Sequence, residues 1–186
     1  MKLTQTTAAS AIVEPVLLAE MREQLRIEHD AEDAYLLGII GAARARAEQE
    51  IDGIIAPREF LLTLDAFADE IELPLRPVDP ESIVVQYIDA NNAPQSVSSF
   101  NYYAINETVF ITPDPGASWP TPGTGKDKVR ITFTAGFTST PLDIKHAILM
   151  IGASLHDQRR DHSAQTLSRV PMSSQMLLEP YRRTVL

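Results

Sequence analysis

The sequence predicts an α+β fold: a mostly helical core, with three main helices and a short C-terminal helix, that carries an inserted antiparallel β segment. Two observations lead to this prediction. Apolar residues recur at helical spacing in three stretches, and the period changes to two between about residues 59 and 134. Because the helices flank the strands and do not alternate with them, a doubly wound parallel sheet is not expected.

The three main helices are predicted over residues 18–26, 31–53 and 141–158. Asp30 is a suitable N-cap for the second helix, because its side chain can accept a hydrogen bond from the first turn. The apolar residues of that helix recur every three or four positions and therefore share one face. They are Leu36, Ile40, Ala43, Ala47 and Ile51.

The strands are predicted from strict alternation of apolar and polar residues. Phe60, Leu62 and Leu64 form one such set, and similar sets recur up to Phe133. This pattern is typical of antiparallel strands with one buried face. Residues 113–128 are rich in Pro and Gly and predict a long loop, in which Trp119 is the one residue large and apolar enough to act as an anchor.

The length of 186 residues suits one domain with an insertion and a tail. We expect an N-terminal arm over residues 1–14, a main domain over 15–160 and a C-terminal tail over 161–186. A short helix is predicted in the tail around residues 174–179. The longest apolar run, residues 147–155, is too short to cross a membrane, so we expect a soluble, non-secreted protein.

The charge is uneven along the chain. The net charge is −9, which disfavours gripping nucleic acid because an acidic surface repels phosphate. From residue 159 onward five Arg stand against Asp161 and Glu179, a net of +3, which leaves −12 on the rest of the chain. The tail is therefore either a solvated basic segment or one that docks on an acidic partner.

No arrangement typical of catalysis or of metal or cofactor binding is found. The sequence has no cysteine. Gly123-Thr124-Gly125-Lys126 lacks both the upstream Gly and the following Ser or Thr of a phosphate-binding loop. His146 and His156 are ten residues apart, and therefore not at the spacing of two ligands on one helical face. We expect no enzyme, no metal and no cofactor.

Six segments resemble the phage head-to-tail connector (adaptor, or head-completion) family, in order and in spacing. They are PVLLAEMREQLRI (15–27), IELPLRPV (71–78), WP (119–120), VRITFTAGF (129–137), PLDIKHAIL (141–149) and LLEPYRR (177–183). The chain departs from the family pattern at Leu17, where a Ser or Thr would cap the first helix. It also departs in LHDQR (155–159), which lacks the aromatic residues of the family.

The resemblance implies a structural protein of the virion neck, assembled in the host cytoplasm. It implies an adaptor subunit in a ring of about twelve copies attached below the portal protein. Such a ring extends the DNA channel and provides the platform for a stopper or tail-completion protein, and no membrane is involved. Alternatives are another neck protein, such as a stopper, or a packaging factor that binds nucleic acid.

The resemblance also suggests roles for residues, with residues 15–160 as the connector domain and the tail as its docking segment. A channel that passes DNA without binding it should present acidic groups to its lumen. The lumen candidates are Glu23, Glu28, Glu32 and Glu48. Trp119 is a candidate loop anchor or partner contact. The candidates for portal docking are Leu177, Leu178, Pro180, Tyr181, Arg182 and Arg183.

Overall fold

The computed structural model describes residues 1–158 and 172–183. Within these residues the chain divides into two compact units. One is a β unit, Met1–Ile12 with Pro57–Gly136, and the other is a helical unit, Val13–Ala56 with Phe137–Leu186 as far as it is described. The chain therefore leaves the β unit after its first strand, builds the first half of the helical unit, and returns.

The β unit contains a five-stranded and a three-stranded sheet, and every pairing in both is antiparallel. The larger sheet has the order β1-β2-β8-β4-β5 and the smaller sheet has the order β3-β7-β6. The strands are β1 (Lys2–Gln5), β2 (Arg58–Leu64), β3 (Ile71–Glu72), β4 (Val78–Ile88), β5 (Pro94–Ser96), β6 (Asn101–Ile105), β7 (Thr108–Thr112) and β8 (Val129–Ala135).

Alternation along β2 and β8 builds the core of the larger sheet. Phe60 of β2 lies opposite Phe133 of β8, and their rings stack with centroids 6.0 Å apart. Leu62 and Ile131, the next apolar pair, are fully buried. Since side chains alternate between the two faces of a strand, this register places both apolar sets on one face.

The helical unit is built from α1 (Leu18–Leu25), α2 (Asp33–Ile51), α3 (Leu142–Gln158) and α4 (Met172–Leu178), followed by a 3₁₀ turn at Glu179–Tyr181. The first three helices lie close to the ranges that periodicity predicts. Their apolar faces form one core, in which Met21, Leu36, Ile40, Ile144 and Ile148 are fully buried.

α1 begins without a capping hydroxyl. Leu17 stands at the N-cap, and its backbone N–H donates to the Glu20 carboxylate at 2.7 Å. This is one half of a capping box, so an acidic side chain in the first turn compensates for the missing Ser or Thr.

α1 and α3 approach closely at Gly152. A Cβ atom added there would lie 2.4 Å from Cε of Met21, which is itself fully buried. The glycine therefore provides the space that the Met21 side chain occupies between the helices.

The prediction of a mostly helical core with one inserted β segment is wrong. Among the described residues there are eight strands in two antiparallel sheets beside four α-helices. The strands bury their own apolar face, including Phe133 and Val129 at 0% exposure, so they are a second core and not an appendage to the first. Periodicity reveals strands singly but not how they pair.

The N-terminal segment shows why apolar alternation in the sequence does not reveal every strand. β1 is the edge strand of the larger sheet, with Lys2 opposite Thr63 of β2. All four of its residues are exposed, so no apolar alternation marks it as a strand. The boundaries proposed for an arm, a connector domain and a tail stay a prediction, and tail residues 161–171 and 184–186 lie outside the described residues.

Candidate functional site

The connection between α1 and α2 is an exposed acidic segment. Glu23, near the end of α1, and Glu28, in the connection, are both exposed, as is Asp30. The Nε of Arg22 donates to Asp33 at 2.7 Å, and that hydrogen bond raises the pKa of Arg22. Two of the four lumen candidates therefore present free carboxylates to solvent.

Glu32 lies at the edge of this segment in a different environment. It is half-buried, and its Oε2 is 3.2 Å from Nε2 of His156 on α3. The ring of His156 also lies 6.2 Å from that of Tyr35, measured between centroids. The carboxylate of Glu32 thus contributes to the α2–α3 contact.

Glu48 is held inside the helical unit. Its Oε2 accepts from Nη1 of Arg44 at 2.8 Å, and its Oε1 accepts from the backbone N–H of Ile55 at 2.9 Å. Arg44 in turn donates through Nε to Glu14 at 2.7 Å. Both carboxylate oxygens of Glu48 are therefore engaged within its own unit.

The six portal-docking candidates fall into two groups. Leu178 is 1% exposed, Leu177 packs against the helical core, and the ring of Tyr181 meets Phe137 edge to face with centroids 6.1 Å apart. Three others reach solvent: Pro180, Arg182 and Arg183 are exposed. The apolar members therefore fix the segment to its own unit, whereas the other three remain exposed at its surface.

The end of this segment is tied to the end of α2. The backbone N–H of Arg183 donates to the carbonyl of Ile51 at 3.2 Å, and its Nη1 lies 3.7 Å from Oδ2 of Asp52. Cations are favoured at a helix C-terminus, where carbonyl groups lack partners. These contacts give the segment a defined position on the helical unit.

Trp119 lies in the long loop of the β unit. Its ring stacks on Phe67 with centroids 4.8 Å apart and 8° between planes, and Phe67 in turn meets Tyr87 edge to face. Trp119 is half-buried. This stack links the loop to the body of the β unit.

Two exposed apolar features of the structure were not predicted from the sequence. One is the edge strand β6, on which Tyr102 and Ile105 are 51% and 55% exposed. The other is an open groove on α2 above Gly38. Small residues every four positions on the outer face of α2 are a signal that could have indicated the groove.

Neither a group of metal ligands nor a membrane-spanning helix is found in the described part of the chain. No three His, Asp or Glu side chains converge there in a way that could hold a metal ion. No helix among the same residues is both long enough and apolar enough to cross a bilayer.

Comparison with known proteins now identifies the class. Residues 16–99, slightly less than half of the chain, match the family model of phage gp6-like head-tail connector proteins. No curated protein matches the chain. The family match covers α1, α2 and the strands β2 to β5, and it ends before β6.

Three solved structures match all of this chain and 97% of theirs. The neck of an empty gene transfer agent (GTA) particle, computed with C6 symmetry, is 29% identical with a TM-score of 0.79. The virion of a native GTA particle is 28% identical with a TM-score of 0.77. The neck of a native GTA particle, computed with C12 symmetry, is 27% identical with a TM-score of 0.73.

These matches confirm the predicted resemblance to head-tail connector proteins. The class is a structural protein of phage-like particles, and its place is the head-tail interface.

Proposed function

We propose that this chain is the adaptor subunit of a virion neck. About twelve copies form a ring below the portal protein, extend the DNA channel and give a stopper or tail-completion protein its platform. The observation that carries the proposal is the full-length likeness to chains from particle necks with C6 and C12 symmetry. The family match over residues 16–99 supports it independently.

The charge of the chain supports a channel role. A DNA channel needs a wall that does not bind phosphate, and the net charge of −9 meets that need. Glu23 and Glu28 are the best candidates for this wall, because their carboxylates are exposed. Glu32 and Glu48 are weaker candidates, since each already bonds within the helical unit.

The segment 177–183 is the proposed portal contact. Leu177, Leu178 and Tyr181 anchor it on the helical unit. Pro180, Arg182 and Arg183 are exposed beside that anchor, and because Arg183 already lies near Asp52, Arg182 is the main positive charge offered there. An acidic surface on the portal is the partner that this charge favours. Trp119 is proposed to anchor its loop or to contact a partner.

The main alternative is another neck protein, such as a stopper, and the less favoured one is a packaging factor that binds DNA. Order of assembly separates them. Purified portal is incubated with this chain, with the cognate stopper, or with both, and sedimented. An adaptor sediments with portal alone and is required for the stopper to sediment. A chain that sediments only when the stopper is already bound contradicts the proposal.

A matched pair of variants tests whether binding to portal depends on this segment. Arg182→Glu reverses an exposed charge in the docking segment, whereas Arg130→Glu reverses an exposed charge on β8 of the β unit. The proposal predicts that only the first lowers sedimentation with portal. Equal losses for the two variants would mean that net charge, and not the segment, determines binding.

A further inference from the structure

The outer face of α2 carries an open apolar groove of about 410 Å³. Gly38 lies at its centre, and a Cβ atom added there would meet nothing within 4 Å. Residues with small side chains recur every four positions along it. The lining residues are Ala34, Tyr35, Gly38, Ile39, Ala42 and Leu155.

Two methionine side chains of α4 are largely exposed to solvent. Met172 and Met176 are 77% and 72% exposed, and their spacing of four places them on one side of the helix. Ser174 and Leu178, on the other side, are buried. Methionine is unbranched and polarisable, so it adapts well to a shallow apolar groove.

We infer that α4 of one copy of this chain binds the α2 groove of the next copy in the ring. Met172 lies over Gly38 and Met176 over Ala42. The inference rests on the proposed function. In a closed ring each subunit uses two different surfaces, one for each neighbouring copy, and both surfaces are covered. A groove and an exposed helix face on the same chain are such a pair.

Charge and spacing agree with this register. Arg46 is exposed, two turns beyond Gly38 and one beyond Ala42. Glu179, whose side chain is 70% exposed, follows Met176 by three residues and meets Arg182 only at 4.0 Å. At 1.5 Å per residue, Gly38 to Arg46 spans about 12 Å and Met172 to Glu179 about 10 Å. With the two helices parallel, the carboxylate therefore reaches the guanidinium.

A cysteine pair tests the contact directly, because the chain has no cysteine of its own. Separate preparations of Ala42→Cys and Met176→Cys are mixed in equal amounts, assembled on purified portal and oxidised. On a non-reducing gel we expect a band at twice the 20.5 kDa subunit mass, absent from either preparation alone and removed by reductant. The control mixture is Ala42→Cys with Leu142→Cys, another exposed apolar position, and should give no such band.

Two further variants ask whether the contact holds the ring together. Gly38→Leu places a larger side chain in the groove, and its Cβ would meet nothing within 4 Å, so folding should persist while ring assembly on portal falls. Arg46→Glu and Glu179→Arg should each weaken assembly by roughly threefold or more, and the double variant should restore it. Circular dichroism checks that each variant is folded.

The outcomes separate this inference from the proposed function. A ring on portal without the Ala42–Met176 band, and with normal assembly of Gly38→Leu, overturns the groove contact and leaves the adaptor role intact. A disulfide that forms in a doubly substituted chain but never between the two single variants assigns α4 to its own groove and also overturns it. If no ring forms on portal, both fall together.

Discussion

Arg44 and Glu48 lie one turn apart on α2 with Nη1 and Oε2 at 2.8 Å, and both side chains are largely withdrawn from solvent. Arg44 is 8% exposed and Glu48 is 11% exposed. The pair is completed by Glu14 on one side and by the backbone N–H of Ile55 on the other. It therefore fastens the segments before α1 and after α2 to the middle of the helical unit.

Removal of the Glu48 carboxylate should destabilise the helical unit strongly. Glu48→Ala leaves Arg44 with one carboxylate and the N–H of Ile55 without its acceptor. We expect a loss of roughly 2–4 kcal/mol in the free energy of unfolding, because a buried charge loses a partner. Urea denaturation followed by helical circular dichroism measures it.

The control for that loss is Glu23→Ala, which removes an exposed carboxylate from α1. Its effect should stay within about 0.5 kcal/mol. If Glu48→Ala and Glu23→Ala lower the free energy of unfolding equally, the ion pair is not a significant source of stability.

Gly123→Ala should disrupt the loop before β8. An added Cβ would lie 2.4 Å from the carbonyl oxygen of Asp89, and backbone cannot move away as a flexible side chain can. The N–H of Gly123 also donates to Ile88 at 2.7 Å, which fixes the approach. We expect a loss of about 1–3 kcal/mol, measured by thermal denaturation.

Gly38→Ala is the matched control, since open space surrounds its added Cβ. Alanine is the better helix former by about 1 kcal/mol, so this variant should be at least as stable as the parent. We therefore expect Gly123→Ala to lower the stability of the protein and Gly38→Ala to leave it unchanged or raise it. A neutral Gly123→Ala would contradict the close approach.

The stack of Trp119 on Phe67 should appear as energetic coupling. In a double-mutant cycle of Trp119→Leu and Phe67→Leu, we expect about 1 kcal/mol of coupling beyond the separate losses. Phe67→Leu alone should also change the emission of Trp119, the one tryptophan in the sequence. Tyr102→Leu, on the edge strand, should leave that emission unchanged. Additive losses would mean that the rings do not interact significantly.

Asp89 should titrate below its ordinary value. The N–H of Ala93 and then the Gln95 amide hydrogen-bond its carboxylate, and together they hold the pKa of Asp89 below 3.8. A lowered pKa stabilises the fold above the unfolded value and loses that stabilisation as the pH falls through the folded one. An NMR titration should give a midpoint under 3.8. A midpoint at or above 3.8 would contradict these hydrogen bonds, and Asp89→Asn should lose the titration altogether.

The helices were predictable because each has its own local signal. The spacing of Leu36, Ile40 and Ala43 repeats within α2, so no other part of the chain is needed to recognise it. Sheet order is different, since β2 pairs with β8 and the intervening residues separate them widely in sequence. The alternation of Phe60 or Phe133 indicates a strand and a buried face but no partner. For that reason the sequence suggested one inserted segment where the chain has two sheets.

The candidate site was predictable in composition but not in environment. Glu23 and Glu48 look alike in the sequence, as acids on amphipathic helices. Glu23 is exposed, whereas Glu48 is bound to Arg44, which also binds Glu14. The sequence does not show which acid lies beside this arginine. In the same way, Leu178 and Arg182 belong to one motif, but Leu178 is buried and Arg182 is exposed. The exposure of Met172 and Met176 could not be inferred from the sequence, because it depends on which side of α4 is buried, and that side contains Leu178.

The most direct test of the adaptor role is the mass of the complex by light scattering, with the chain alone and after addition of its cognate portal. We predict that portal gains close to twelve times 20.5 kDa, the mass of a complete ring with the C12 symmetry of the related neck. Arg182→Glu should reduce this gain in mass, and Arg130→Glu should not. No gain in mass on portal, together with binding of the chain to DNA, would contradict the adaptor role.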